Sequence, residues 1–377
     1  MWPITASAPA VRPVAVDHHE THAARAAEAS AGTDTELNSV ALKKLRAAEQ
    51  IIPVLESPAR AEKLDQIRAI LSKHGFDTCK EDWDRSKFKA SMSQLSYVNE
   101  KLTPDDDIAS SVAKQHKRVA ETADVISTVK GDIQKARTQA NLSVMEFKIE
   151  QQKALLKQAV TEADEENEKG GKFTVNTSYS ELWAAMAKAI GSIKSDYVDF
   201  YADLMQKYTE LYEAYNNTVQ KASANAVKAG EDGNNVDFNN STMQQGYTDF
   251  NNAVKDIDPG SVENWSSMSQ EEKDSMTATL EPAFKIDQST GKISFNLDQY
   301  HNSPNFPSDG SGKVSTASYQ AWLATFNAVG TGLQSNMQSF AQRYTQANST
   351  FDNLNKVLSG AISSLADSAK EVFRNLV

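Results

Sequence analysis

Two long stretches of the chain place apolar residues three and four positions apart without interruption. The first runs Trp183, Met186, Ile190, Ile193, Tyr197, Phe200, Leu204, Tyr208, Leu211, Tyr215, Val219. The second runs Tyr319, Trp322, Phe326, Val329, Leu333, Met337, Phe340, Tyr344, Ala347, Phe351, Leu354, Leu358, Ile362 and on towards the C-terminus. Such alternation puts one apolar stripe along a helix. Ser178 and Glu181 add a capping box at the start of the first helix. The first stripe alone covers on the order of 55 Å of helix, and a stripe of that length must be covered by a partner. The economical arrangement is an antiparallel intramolecular coiled coil of residues 173–227 and 316–377, with a parallel homodimer as the competing solution. At this spacing the tyrosines and methionines are read as core and not as a ligand channel.

The first third of the chain is also helical in pattern. Leu37, Val40, Leu45, Ala48, Ile51 and Ile52 stop near Pro53, and Leu64, Ile67, Ile70 and Leu71 stop at His74-Gly75, a C-cap signature. Phe88, Met92, Leu95, Val98 and Leu102 form another stripe, ended by Thr103-Pro104. After Asp105-Asp106-Asp107, Val112, Val119, Ile126, Ile133, Ala140 and Phe147 recur every seven residues. The intermediate positions Ala123, Val129, Ala136 and Val144 fill the seam imperfectly. This predicts a long helix to about Val160, in which Gly131 costs about 1 kcal/mol against Ala and so leaves room for a local break, followed by a solvated acidic linker over Glu162–Gly171. The expected unit is an N-terminal helical hairpin domain over 36–172, preceded by a disordered segment over 1–35 that has too few large apolar residues to order itself.

Between the two long helices, residues 228–315 change character. Gly, Asn, Asp and Pro rise, and two short helices are expected, one around Tyr247–Ile257 and one over Met268–Leu280 opened by Ser269 and Glu272. Phe284/Ile286 and Ile293/Phe295/Leu297 alternate around Gln288–Gly291, which predicts a β-hairpin. The fold class is therefore mainly α: a long antiparallel intramolecular coiled coil, an N-terminal α-helical hairpin domain and a small inserted mixed α/β domain.

Composition narrows the function. The 377 residues carry 39 basic and 50 acidic side chains, a formal charge of −11, with no basic block, so nucleic acid is not the expected partner. No stretch approaches the roughly 18 apolar residues of a membrane span, and the start lacks the pattern of a cleaved signal. Cys79 is the single cysteine, which excludes an internal disulfide, and it is read as an incidental thiol. His18-His19-Glu20-Thr21-His22 is one residue short of a helical metal pair, and Asp232, Asn234 and Asp237 lack the rest of a calcium loop. Both are read as solvated polar segments. No phosphate loop, nucleophile elbow or paired-cysteine motif is present, and the Asn-x-Ser/Thr sequons fall partly inside predicted helices. Neither a catalytic site nor a cofactor is expected.

Two segments resemble a known family. Ser180-Glu-Leu-Trp-Ala-Ala-Met-Ala-Lys-Ala-Ile190, running on to Tyr208-Thr-Glu-Leu-Tyr-Glu-Ala-Tyr215, is similar to the helix that opens the coiled coil of type III secretion needle-tip proteins of the IpaD/SipD/BipD family. Gln342-Arg-Tyr-Thr-Gln-Ala-Asn-Ser-Thr-Phe-Asp-Asn-Leu-Asn-Lys-Val-Leu-Ser-Gly-Ala-Ile-Ser-Ser364 resembles the family's C-terminal signature, with Ser359-Gly360 in place of the usual Ser-Ser. The similarity covers about 180–377, while 1–170 matches in organisation only.

The resemblance implies a secreted protein at the bacterial cell surface, exported with an uncleaved N-terminal signal and assembled as a small ring, commonly about five copies, on the needle tip. Its implied partners are the needle subunit, the hydrophobic translocator, itself, and bile salts such as deoxycholate. The N-terminal hairpin would act as an internal chaperone over the coiled coil. Trp183, Ile190, Tyr197, Leu204, Phe340, Tyr344, Phe351, Leu354 and Leu358 are expected in the intramolecular seam. Arg343, Asn348, Asp352, Asn353 and Lys356 are expected to contact the needle or a neighbouring subunit, and Trp183 to lie near a bile-salt groove. A filament or appendage subunit and a cytosolic secretion chaperone are the alternatives.

Overall fold

The computed structural model describes residues 43–44, 46–48, 50–51, 54, 63–76, 83–100, 108–166, 184, 186–188, 190–230, 234–307 and 312–374. The N-terminal segment 1–35, the histidine-rich run at 18–22, Cys79, Trp183 and the capping box at Ser178 lie outside the described residues. Residues 1–43 and 44–377 separate as two units, and the fold below is that of the second.

Helix α1 (Lys63–Lys73) ends as its sequence predicts. Gly75 takes φ +79°, Phe76 N–H donates to Leu71 O at 2.9 Å and Gly75 N–H to Ser72 O at 3.0 Å. That is a Schellman closure, and only a residue without a Cβ adopts its left-handed step cheaply. Helix α2 (Trp83–Glu100) follows, and α3 (Ile108–Glu166) then runs for 59 residues, roughly 90 Å.

In α3 the room left for a break goes unused, and the expected extent of the acidic linker is corrected. The helix passes through Gly131 without a break, because Gly131 sits on the exposed face and interrupts no packing. It also continues to Glu166, so the start of the acidic run is helical. Ala163 and the glutamates at 162, 165 and 166 are good helix formers.

The central helix is described from position 190 to Asn225 and contains two π-helical turns, Lys194–Asp199 and Asn216–Gln220, which flank α4 (Phe200–Tyr215) and lead into α5 (Lys221–Asn225). Lys194 and Asp199 pair at 2.5 Å across the first π turn, the five-residue spacing that a π turn brings together. Each π turn adds a residue and rotates the seam. After the first, Tyr201 and Ala202 are buried while Phe200 is only half-buried.

The inserted region holds a three-stranded antiparallel sheet, β1 (Val227–Ala229), β2 (Asn235–Phe238) and β5 (Lys313–Ser315), in the order β1-β2-β5. Helix α6 (Asn240–Asp256) is capped by Asn239, and α7 (Gln270–Leu280) opens with the reciprocal Ser269–Glu272 box. The predicted hairpin is β3 (Phe284–Ile286) with β4 (Ile293–Phe295), in the register Phe284↔Phe295 and Ile286↔Ile293. Helix α8 (Asp298–His301) leads back towards β5, which runs straight into α9 (Thr316–Arg374), 59 residues long.

The long helices form a three-membered bundle. Gln115 Nε2 donates to the Tyr319 hydroxyl at 2.8 Å and Arg118 Nη1 to Asn327 Oδ1 at 3.0 Å, so α3 runs parallel to α9. Asn216 Nδ2 donates to Val119 O at 3.0 Å, and Arg137 pairs with Asp203, so the central helix is antiparallel to α3. It is antiparallel to α9 as well: Tyr201 meets Phe340, and Tyr215 lies against Gly330. The expected antiparallel pair is present, with α3 packed along it as an equal member. The β3–β4 hairpin clamps the bundle through Phe284, whose ring lies edge-on to Tyr208 at 5.5 Å and to Phe340 at 5.0 Å.

Candidate functional site: a groove between two long helices

The seven-residue seam of α3 changes composition along its length. Val125, Ile126, Val129 and Ile133 fill the bundle, but the positions that follow are Ala136, Ala140 and Ser143. These side chains are too short to span the gap to α9, and unfilled seam leaves a void. A groove of about 680 Å³ opens there. Its apolar wall is Phe88 of α2 and Tyr344 of α9, whose rings meet edge-to-face at 5.7 Å and 78°. Burial pushes the Tyr344 phenol up to about 12, so it stays protonated in the physiological range. Apart from Ala136 and Ala140 the rest of the lining is polar: Glu146 and Glu150 on α3 face Asn348, Asp352, Asn355 and Lys356 on α9.

Asn355 is the residue that sequence reasoning missed. It is 5% exposed, and neither its Oδ1 nor its Nδ2 has a hydrogen-bond partner among the described residues. An unpaired buried amide costs about 1–3 kcal/mol, so a helix seam does not choose it for stability. The only signal in the sequence is an Asn at a position next to the apolar stripe, which helical periodicity by itself reads as flank.

The expected contact residues fall in two places. Asn348, Asp352 and Lys356 line the groove. Asn348 and Asn353 turn their amides back onto their own helix, to Tyr344 O at 3.1 Å and Ser349 O at 3.0 Å. Arg343 sits on the opposite face of α9, in a different cavity. Of the expected seam residues, Ile190, Tyr197, Leu204, Phe340, Tyr344, Phe351, Leu354 and Leu358 are all buried. Phe340 and Tyr344 also meet the inserted hairpin and α2, and so belong to more than a two-helix seam.

A second polar cluster lies deeper in the bundle. Arg118 is buried, with Nε and Nη2 unpartnered and no carboxylate paired to it among the described residues. Burial lowers its guanidinium below the ordinary value, opposed by the facing phenols of Tyr212, Tyr215 and Tyr319. Among the described residues no group of His, Cys, Asp and Glu could hold a metal ion, and no helix is long and apolar enough to cross a membrane.

The family described as "Type III secretion systems tip complex components" matches residues 77–272 and 300–373, more than half of the chain, and takes in α3 and α9 on both sides of the groove. The chain belongs to this family. Its members are structural components of the secretion tip and not enzymes. The chain is 30% identical to Invasin IpaD of Shigella flexneri over 200 residues, 51% of this chain and 60% of that protein. It is 26% identical to Cell invasion protein SipD of Salmonella typhi over 210 residues, 51% of this chain and 61% of that protein. The match thus spans about three-fifths of the length of these relatives. A solved structure of BipD from Burkholderia pseudomallei aligns over 76% of this chain and 94% of its own, at 19% identity and a TM-score of 0.48. The family match reaches back to residue 77, further than the resemblance visible in the sequence, and includes the long N-terminal helix.

Proposed function

We propose that this protein caps the needle of a type III secretion system, assembles there as a small ring of about five copies, restrains secretion and recruits the hydrophobic translocator during host-cell invasion. The observation that carries this reading is the family match over both walls of the groove. Relatives named an invasin, a cell invasion protein and a translocator protein support the same role. The N-terminal helices serve as an internal chaperone. Phe88 of α2 covers α9 at Tyr344, and the Ser91 hydroxyl ties α2 to α3 by donating at 3.0 Å to the buried Asp132. Asp352 and Lys356 are the contacts offered to the needle or a neighbouring subunit, being the more exposed of the signature's polar residues in the groove. Asp352→Lys and Lys356→Glu should leave the circular dichroism spectrum unchanged and weaken tip assembly; normal tip complexes in both variants would refute the contact assignment.

The groove is the sensing site in this proposal. Its aromatic wall suits the face of a sterol, and the Asn355 amide supplies a polar partner for a hydroxyl or carboxylate, which fits a bile salt such as deoxycholate. Asn355→Leu separates binding from stability. Removing the unpaired amide should leave the protein as stable or more so, while deoxycholate binding by calorimetry is lost. Deoxycholate binding unchanged in Asn355→Leu would place the ligand elsewhere.

A further inference from the structure

The second cavity, about 350 Å³, lies where α1, α7, the central helix and α9 meet. It is on the opposite side of α9 from the groove: Ser339, Arg343, Gln346 and Thr350 face it, whereas Tyr344, Asn348, Asp352 and Asn355 face the groove, about half a turn away at 100° per residue. The two cavities share no lining residue.

Its chemistry is one of convergent donors. Arg68 is already engaged, pairing with Asp65 and donating from Nη1 to Gln346 Oε1 at 3.1 Å. Arg343 makes no ion pair or hydrogen bond among the described residues, although its charge is felt by Tyr201. Tyr201 is 4% exposed, its ring is fixed edge-on to Phe340 at 6.0 Å, and it lines the cavity beside Arg343. Burial raises the Tyr201 phenol well above its ordinary range and the Arg343 charge opposes this, so the group is an O–H donor under all physiological conditions. A free guanidinium fork beside a fixed hydroxyl donor, with the one carboxylate already neutralised, is a complement for a planar or tetrahedral oxyanion. The lining is mostly polar and the volume sits at the small end for ligand sites, which excludes an amphiphile.

We propose that this cavity binds a small solute carrying a phosphate or carboxylate group, held by Arg343 and Tyr201, with the Asp65–Arg68 pair at its edge leaving the Arg343 charge uncancelled. Because Thr279 of the inserted domain, Arg68 of α1 and Arg343 of α9 all line it, an occupant bridges three parts of the fold. The site is independent of the groove and of the sensing role proposed for it.

Isothermal titration of the full chain with inorganic phosphate, and separately with succinate, at constant ionic strength set by chloride, tests the proposal. Saturable one-site binding is expected with at least one of the two, and which one binds identifies the ligand chemistry. Arg343→Gln should weaken it by about tenfold or more, and Tyr201→Phe, which keeps the ring against Phe340, by roughly threefold. Arg343→Lys keeps the charge without the fork and should fall between Arg343→Gln and the native protein. Unchanged circular dichroism in Tyr201→Phe guards against a folding artefact. No saturable heat with either solute, or equal affinity in Arg343→Gln, overturns the site.

Discussion

Phe88→Ala tests how firmly the N-terminal helices are held on the C-terminal one. Phe88 is 6% exposed and its ring meets Tyr344 edge-on at 5.7 Å. Truncating a buried Phe costs about 3–5 kcal/mol, of which an edge-to-face pair contributes about 0.5–1.5 kcal/mol. One side of the ring faces the open groove, where water can enter the space left behind, so the lower end, about 3 kcal/mol, applies. With a urea slope of about 3 kcal/mol/M, the unfolding midpoint should fall by about 1 M. Phe88→Leu keeps most of the apolar area and loses the ring pair, so its midpoint should fall by only about 0.3 M. Urea unfolding followed by circular dichroism reads both. If the N-terminal helices act as the proposed internal chaperone, sedimentation velocity should show a larger oligomer fraction for Phe88→Ala at equal concentration, because loosening them would expose the α9 surface. A midpoint within about 0.2 M of the native protein, with no added oligomer, would refute the idea that this contact holds the hairpin down.

Other consequences can be checked alongside. Arg118→Met should leave the protein as stable as the native chain or more so, by up to about 4 kcal/mol, because it removes a buried charge with no carboxylate partner; a loss above about 2 kcal/mol in thermal unfolding would show that the guanidinium is compensated. Gly291→Ala should destabilise the inserted domain and alter Trp265 fluorescence, since Gly291 has φ +74° and an added Cβ would come within 2.5 Å of Trp265 Cγ. Ser269→Ala should cost about 1 kcal/mol in the stability of α7, read as faster amide exchange in its first turn. Asp287 is held at about 2, first by the Ser289 hydroxyl and then by the backbone and hydroxyl of Thr290. Its folded value lies below its unfolded one, so its support of the hairpin turn is complete above the ordinary carboxylate range and lost as pH falls towards 2. A carboxyl NMR titration midpoint near 4 would contradict this.

Much of the helical framework could be read from the chain because its seams repeat three and four residues apart for dozens of positions. The Ser269 box, the His74-Gly75 stop and the β3–β4 hairpin were equally legible, since each rests on a short local rule. The π turns were not. Phe200 and Tyr201 are both large aromatics, so a seam that shifts by one residue leaves the apolar pattern looking continuous. The β1-β2-β5 sheet escaped because its strands are three or four residues long and one pairs across most of the inserted region. Of the groove's short side chains, the apolar pattern marked only Ala136 as imperfect seam filling, took Ala140 as a regular seven-residue position and passed over Ser143. The groove's meaning appears only when α9 is known to lie opposite, since an apolar stripe demands cover without naming the covering surface. Buried Arg118, Gln115 and Asn355 run against the hydrophobic pattern, and no periodicity rule could find them.

The central claim is tested most directly by immunogold labelling of intact, unstimulated cells of the source organism, using an antibody to residues 228–315. The account predicts gold confined to needle tips and lost when the needle subunit is deleted. Gold along whole filaments, or signal only after permeabilisation, would contradict it.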